Sequence, residues 1–233
     1  MNKKKQLLVT SIVFTLFVLL VGCQSNKKVV GNPPVTMKTV TQNSKQDLAT
    51  FEFQVPEGWA SSPKYNLSVI AYPKEAVNKK FEAEEDSLPY TVGIGNYYYS
   101  AIAISEKDKQ MYKDLFAGKT SAYEEHMRNS FANSASMLNS NSSGQVNVPN
   151  VDFKYEHFDG TYGKITEVQY SYTLDGKKAH VVQCFREDIP YLVTGTFDNS
   201  VDLSSGKIAL WVADTLKVKE HFTIKNNIMQ KEG

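Results

Sequence analysis

The chain has almost no charge of one sign to spend. Its 26 lysines and arginines meet 25 aspartates and glutamates, a formal charge of +1 over 233 residues. A domain that grips nucleic acid needs a clearly basic surface, so nucleic-acid binding is excluded. Histidine is scarce and scattered. His126, His157, His180 and His221 never take the H-x-x-x-H spacing that sets two metal ligands on one helical face. No G-x-S-x-G string supplies a nucleophile elbow. Gly118-Lys119-Thr120 has the ending of a phosphate loop, but the full pattern needs glycine where Lys113 stands. Gly118 reads instead as a helix terminator. Two acidic clusters, Glu82 with Glu84, Glu85 and Asp86, and Asp198 with Asp202, lack the spacing of a calcium loop. The first reads as a solvated loop and the second as the N-cap of a helix. No catalytic set, no metal site and no cofactor is expected.

What is present in quantity is aromatic. Thirteen tyrosines and twelve phenylalanines make a chain that can bury a real core. The N-terminal end has a character of its own. Lys3, Lys4 and Lys5 precede fifteen residues, Leu7 to Val21, that are apolar apart from Thr10, Ser11 and Thr15. A cationic start, a short apolar run and a small residue at its end are the marks of a secretory signal. Fifteen residues are few for a helix crossing the roughly 30 Å hydrocarbon core. The run ends in Leu20-Val21-Gly22-Cys23, which resembles the lipobox of bacterial lipoproteins. The resemblance implies that residues 1–22 are removed and that the Cys23 thiol is joined to diacylglycerol. The implied location is the extracytoplasmic face of the cell membrane, with the membrane itself as a partner through the lipid. Without those 22 residues and their three lysines, 211 residues remain with 23 basic and 25 acidic side chains, a formal charge near −2.

Cysteine is scarcer still. Cys23 and Cys184 are the two in the sequence, and lipidation of the first leaves the second without a disulfide partner. Set in Val181-Val182-Gln183-Cys184-Phe185, Cys184 reads as a small buried hydrophobe and not as a nucleophile.

Residues 23–47 are polar, hold Gly31, Asn32, Pro33 and Pro34, and read as a flexible tether. Residues 48–221 read as one folded domain and 222–233 as a tail. Phe51, Phe53 and Val55 alternate with Glu52 and Gln54, which predicts a half-buried strand. Leu67 to Tyr72 reads as a second strand, and Tyr90 to Ile104 as one bent or two short ones. Ser105 caps a predicted helix to Phe116, and the Ser121–Glu124 spacing starts another to about Leu138. Strands return at Val151 to Tyr155 and Ile165 to Tyr172, the second with one slip in its alternation. Asp175-Gly176 marks a tight hairpin turn into Ala179 to Arg186, and Tyr191 to Phe197 follows. A helix from about Asp202 to Val218 carries Ile208, Trp211, Val212 and Leu216 as its apolar stripe. Short turns force antiparallel pairing, so the expected fold class is α+β, a twisted antiparallel sheet flanked by helices.

The string Phe51-Glu-Phe-Gln-Val-Pro-Glu-Gly-Trp59, together with Val182 to Arg186, Tyr191 to Thr196 and the amphipathic final helix, resembles PsbP-like domains. That resemblance implies an α/β/α sandwich. The family includes photosystem accessory proteins, a nuclear Ran-binding factor and bacterial lipoproteins, and its members act mainly by binding. The two-helix insert near 105–138 departs from the pattern, and none of the family's binding residues maps onto this chain, so fold alone transfers.

Tyr97-Tyr98-Tyr99 is the most unusual local string. Tyr97 and Tyr99 share one face of a strand, either packed in the core or exposed as a stacking platform for a protein, peptide or glycan of the cell envelope. The function expected is a non-catalytic binding or accessory domain held on the membrane. The alternative is an envelope hydrolase whose site is assembled from distant residues. A third idea is that apolar signal fragments such as Leu16 to Gly22 resemble released peptide pheromones.

Overall fold

Alternation of apolar and polar residues decides which face each strand buries. The computed structural model describes residues 28–76, 90–98, 105–141, 151–174, 177–198, 206–225 and 228–231. In chain order the strands begin with β1 (Lys28–Val29), β2 (Met37–Asn43) and β3 (Ala49–Pro56). A meander of β4 (Trp59–Tyr65), β5 (Ser68–Pro73) and β6 (Tyr90–Asn96) follows. Two helices, α1 (Glu106–Phe116) and α2 (Ser121–Asn141), separate it from a second meander. That meander is β7 (Lys154–Asp159), β8 (Lys164–Leu174), β9 (Lys177–Arg186) and β10 (Tyr191–Asp198). The chain continues through α3 (Gly206–Thr215), β11 (Lys217–Glu220), β12 (Phe222–Lys225) and β13 (Ile228–Lys231).

The two meanders fuse into one sheet because β10 pairs antiparallel with β6, Val193 opposite Ile94. The strand order is β1-β7-β8-β9-β10-β6-β5-β4. β1 joins in parallel at the outer edge, Lys28 opposite Phe158, so the sheet is mixed. β3 belongs to a second, three-stranded sheet, flanked by β11 and β2. Its odd residues Ala49, Phe51, Phe53 and Val55 are wholly buried.

Two apolar clusters lie on opposite faces of the large sheet, and β9 divides its side chains between them. Val182 and Cys184 join Phe51, Phe53, Val193 and the α3 residues Ile208 and Val212. Val181 and Phe185 join Met111 and Leu115 of α1 and Tyr123 of α2. Each fully buried side chain of this size contributes about 1.5–3 kcal/mol. The helices form where their caps allow it. Ser105 accepts a hydrogen bond from the Asp108 amide, 3.2 Å, and Gly118 takes φ +78° to end α1 as expected.

The helix-flanked α/β/α sandwich is not the observed architecture. Strands take about half of the described residues and helices about a quarter, so the fold is β-rich. The reason lies at the Pro56-Glu57-Gly58-Trp59 turn, where Gly58 adopts φ +88° and the chain leaves one sheet for another. β3 ends in the small sheet and β4 begins in the large one. Segments not read as strands supply the partners of β3. β2 comes from the expected tether 23–47, and β11 from the end of the expected final helix, which stops at Thr215. The face assigned to helices is therefore closed by a sheet together with α3. The expected tail 222–233 also carries structure, a hairpin with Ile224 opposite Met229. The signal, Cys23, the Glu82–Asp86 run, Tyr99 and Asp202 lie outside the described residues.

α3 lies close enough to β10 that a Cβ on Gly195 would sit 2.9 Å from the Ala209 Cβ. At Gly93 the nearest atom, the Thr194 carbonyl oxygen, is 4.0 Å away. Gly195→Ala should therefore destabilise by about 1–3 kcal/mol in urea unfolding, whereas Gly93→Ala should stay near neutral. Equal stabilities for the two variants would contradict this packing.

Candidate functional site

On the α3 side of β7, β8 and β9 a cleft of about 920 Å³ opens between α3 and residues 28–32. The alternation of β8 builds its floor. Val168 and Tyr170 point into the core beneath α1 and α2, which turns Glu167, Gln169 and Ser171 to the cleft. From β9 come His180 and Lys178, from β7 Lys154 and Glu156, and from α3 Lys207 and Trp211. Aromatic walls with a few convergent polar groups are the usual composition of a ligand site.

Glu167 is 4% exposed, an unusual position for a carboxyl. Its Oε1 accepts from Gln169 Nε2 at 2.5 Å, and its Oε2 lies 4.0 Å from Cys184 Sγ. Across the strands it stands opposite Glu156 on β7 and Cys184 on β9. Two carboxylates directly opposite repel each other. The repulsion is relieved on one side by Lys28, whose Nζ lies 2.7 Å from Glu156 Oε1. On the other side, burial holds the Glu167 carboxyl above its usual range, with the Gln169 amide opposing, Glu156 adding and Lys28 offsetting. Burial first, and then the Glu167 charge, push the Cys184 thiol well up. Cys184 is fully buried, so it stays a protonated hydrophobe, as its sequence setting implied.

Ser171 and His180, opposite each other on β8 and β9, meet at 2.7 Å between Oγ and Nδ1. The His180 ring stacks on Phe197, centroids 5.5 Å apart. This is a hydroxyl–imidazole pair of the kind hydrolases use. Glu167 sits four residues back along β8, about 13 Å at strand rise, too far to orient the imidazole. The other histidines are dispersed: His157 contacts Thr166 and His221 contacts Thr50. Among the described residues no three His, Cys, Asp or Glu side chains gather closely enough to hold a metal ion. Among the same residues no helix is long and apolar enough to cross a membrane.

Tyr97 lies elsewhere. β6 ends at Asn96, so Tyr97 and Tyr98 occupy a bend and do not alternate across a strand as expected. Their rings touch, 4.7 Å between centroids. Tyr97 packs on Tyr112 at 4.4 Å and Phe185 at 5.8 Å, at the margin of the core beneath α1. Burial pushes the Tyr112 hydroxyl up to about 12. Tyr97 is thus built into packing, away from the cleft. The cleft residues Glu167, Gln169, Ser171 and His180 were missed from sequence. Their signal was the slip in the β8 alternation, where polar side chains take over the face that Ile165 buries.

A group whose folded pKa is raised favours the folded state below its unfolded pKa, near 4.5 for Glu167, and loses that contribution as pH climbs through the folded value. Glu167→Gln cannot ionise. Its Tm relative to the unsubstituted protein should become steadily more favourable from pH 4 to pH 7. A pH-independent Tm difference would contradict the assignment of Glu167 as a desolvated acid.

No protein-family model and no curated protein matches this chain.

Proposed function

We propose that the protein is an extracytoplasmic lipoprotein, lipid-anchored at Cys23, whose domain binds a ligand in the Glu167 cleft without converting it. The anchor is supported by the cationic, apolar and Leu-Val-Gly-Cys succession at 3–23. Fatty chains partition at about 0.8 kcal/mol per buried CH₂, so the two chains of a diacylglycerol hold a domain stably on a bilayer. The binding role rests on one observation above all: a desolvated carboxyl at the floor of a cleft of about 920 Å³, rimmed by exposed lysines. Buried charge-bearing groups are costly to keep, and this one lies beneath the floor of an open cleft and not in a closed core.

A second reading, envelope hydrolase, is favoured by the Ser171–His180 pair at 2.7 Å in the same cleft. Ester turnover by the purified protein that disappears in Ser171→Ala would select it over the binding role.

Cys23→Ala should move the protein from the membrane fraction to the soluble fraction and remove the lipid mass from its N-terminal peptide. Retention on the membrane without that mass would overturn the lipid anchor.

A further inference from the structure

We propose that the cleft faces the bilayer and takes the anionic phosphate headgroups of its lipids, an inference that rests on lipidation at Cys23. Chain length carries the first step. Lys28 follows Cys23 by five chain steps, and each extended step spans at most about 3.6 Å, so the anchor lies within about 18 Å of β1. β1 is bonded into the domain. Lys28 and Val29 pair with Phe158 and Asp159, and Lys28 forms the ion pair with Glu156. Residues 28–32 are themselves one wall of the cleft. β1 runs parallel to β7, so its N-terminal end points toward Lys154, the part of β7 that lines the cleft. β8, eleven residues long, extends about 36 Å at strand rise, so a tether this short holds that end at the surface and the far end of the sheet away from it.

Charge carries the second step. Lys28 and Glu156 occupy each other, and Glu167 is buried beneath the rim. The exposed charges around the cleft are then Lys154, Lys178 and Lys207 against Asp152. This basic bias belongs to a chain whose formal charge without residues 1–22 is near −2, so it is local and not a reflection of overall composition. Ammonium groups are point-charge partners for phosphate, and each lysine near an anionic leaflet adds about a fivefold preference for it. Val29, 69% exposed on the same wall, offers an apolar contact to the interface.

The test reconstitutes the mature lipidated protein into vesicles carrying a headgroup spin label and reads tryptophan quenching. Trp211 lines the cleft, whereas Trp59 is 7% exposed in the core. Mass spectrometry of the Cys23 peptide comes first, since an unmodified thiol refutes the anchor itself. With lipid present, quenching should be at least about twofold greater in vesicles containing phosphatidylglycerol than in phosphatidylcholine alone, from the preference above. It should vanish in Trp211→Phe. The triple variant Lys154→Glu, Lys178→Glu, Lys207→Glu, which alters exposed side chains only, should return it to the level of uncharged vesicles. Equal quenching on both vesicle types, or quenching indifferent to the triple variant, overturns the proposal and leaves the anchor standing. Loss of the quenching on adding inorganic phosphate at constant ionic strength assigns the cleft to free phosphate and likewise overturns it.

Discussion

Everything in this domain is arranged around α3, a helix wedged between two sheets. Of its ten residues, Gly206, Ile208, Ala209, Leu210, Val212, Ala213 and Asp214 are buried, and a helix apolar on nearly every side has to be enclosed. The eight-stranded sheet holds it from one side through Val182, Val193 and Phe197, and β3 from the other through Phe51 and Phe53. Its C-terminal end is fastened by polar groups. Arg186, 3% exposed, donates to the Leu216 carbonyl and to the Ala213 carbonyl, and pairs with Asp188. A cation at the negative end of a helix also suits the macrodipole. Asp214 accepts from the Thr161 amide at 2.5 Å and its hydroxyl at 2.8 Å, tying the β7–β8 turn to the helix. Thr215 serves the Gln54 amide just past the end of β11 pairing, and Trp211 donates to Gln54. These are polar bonds made to satisfy groups that burial of α3 would strand.

Local elements were legible where side-chain period and turn chemistry agree. The β8–β9 hairpin appears where Asp175-Gly176 marked it, with Leu174 opposite Lys177. β10, α1 and α2 also appear within a few residues of their expected bounds. Sheet membership was not legible, because alternation reports that a strand is half-buried and is silent about its neighbours. Phe51, Phe53 and Val55 announce a buried face equally well whether β3 lies in the large sheet or across from it. β2 and β11 were hidden for a related reason. Met37-Lys-Thr-Val-Thr-Gln-Asn is polar enough to pass for a tether, and Lys217-Val-Lys-Glu for a helix end. Both are edge strands, and edges are where charged and polar side chains are favoured.

The cleft was invisible for the converse reason. Glu167, Gln169, Ser171 and His180 come from two strands and match no motif, since the chemistry is brought together by pairing and not by spacing. What the sequence did hold was a discrepancy. Ile165, Val168, Tyr170 and Tyr172 cannot lie on one face of a strand, and the structure resolves this by burying Ile165 on the α3 side and the others beneath α1 and α2. β8 is covered on both faces at one end and on one face at the other. The cleft begins where the double cover stops.

From Lys28 onward the N-terminal segment is held by the edge of the large sheet. A sheet with its outer strand β7 bare would present unpaired backbone groups. β1 covers the end of that edge, with the Lys28–Glu156 pair beside it. That ion pair bears on Glu167 as well, because Glu156 stands directly opposite it. Drawing Lys28 away would leave two carboxylates face to face, one of them desolvated, and would favour protonation of the buried one. Lys28, Glu156 and Glu167 thus form one electrostatic unit, in which the pairing of β1 with β7 bears on the charge state of the cleft floor.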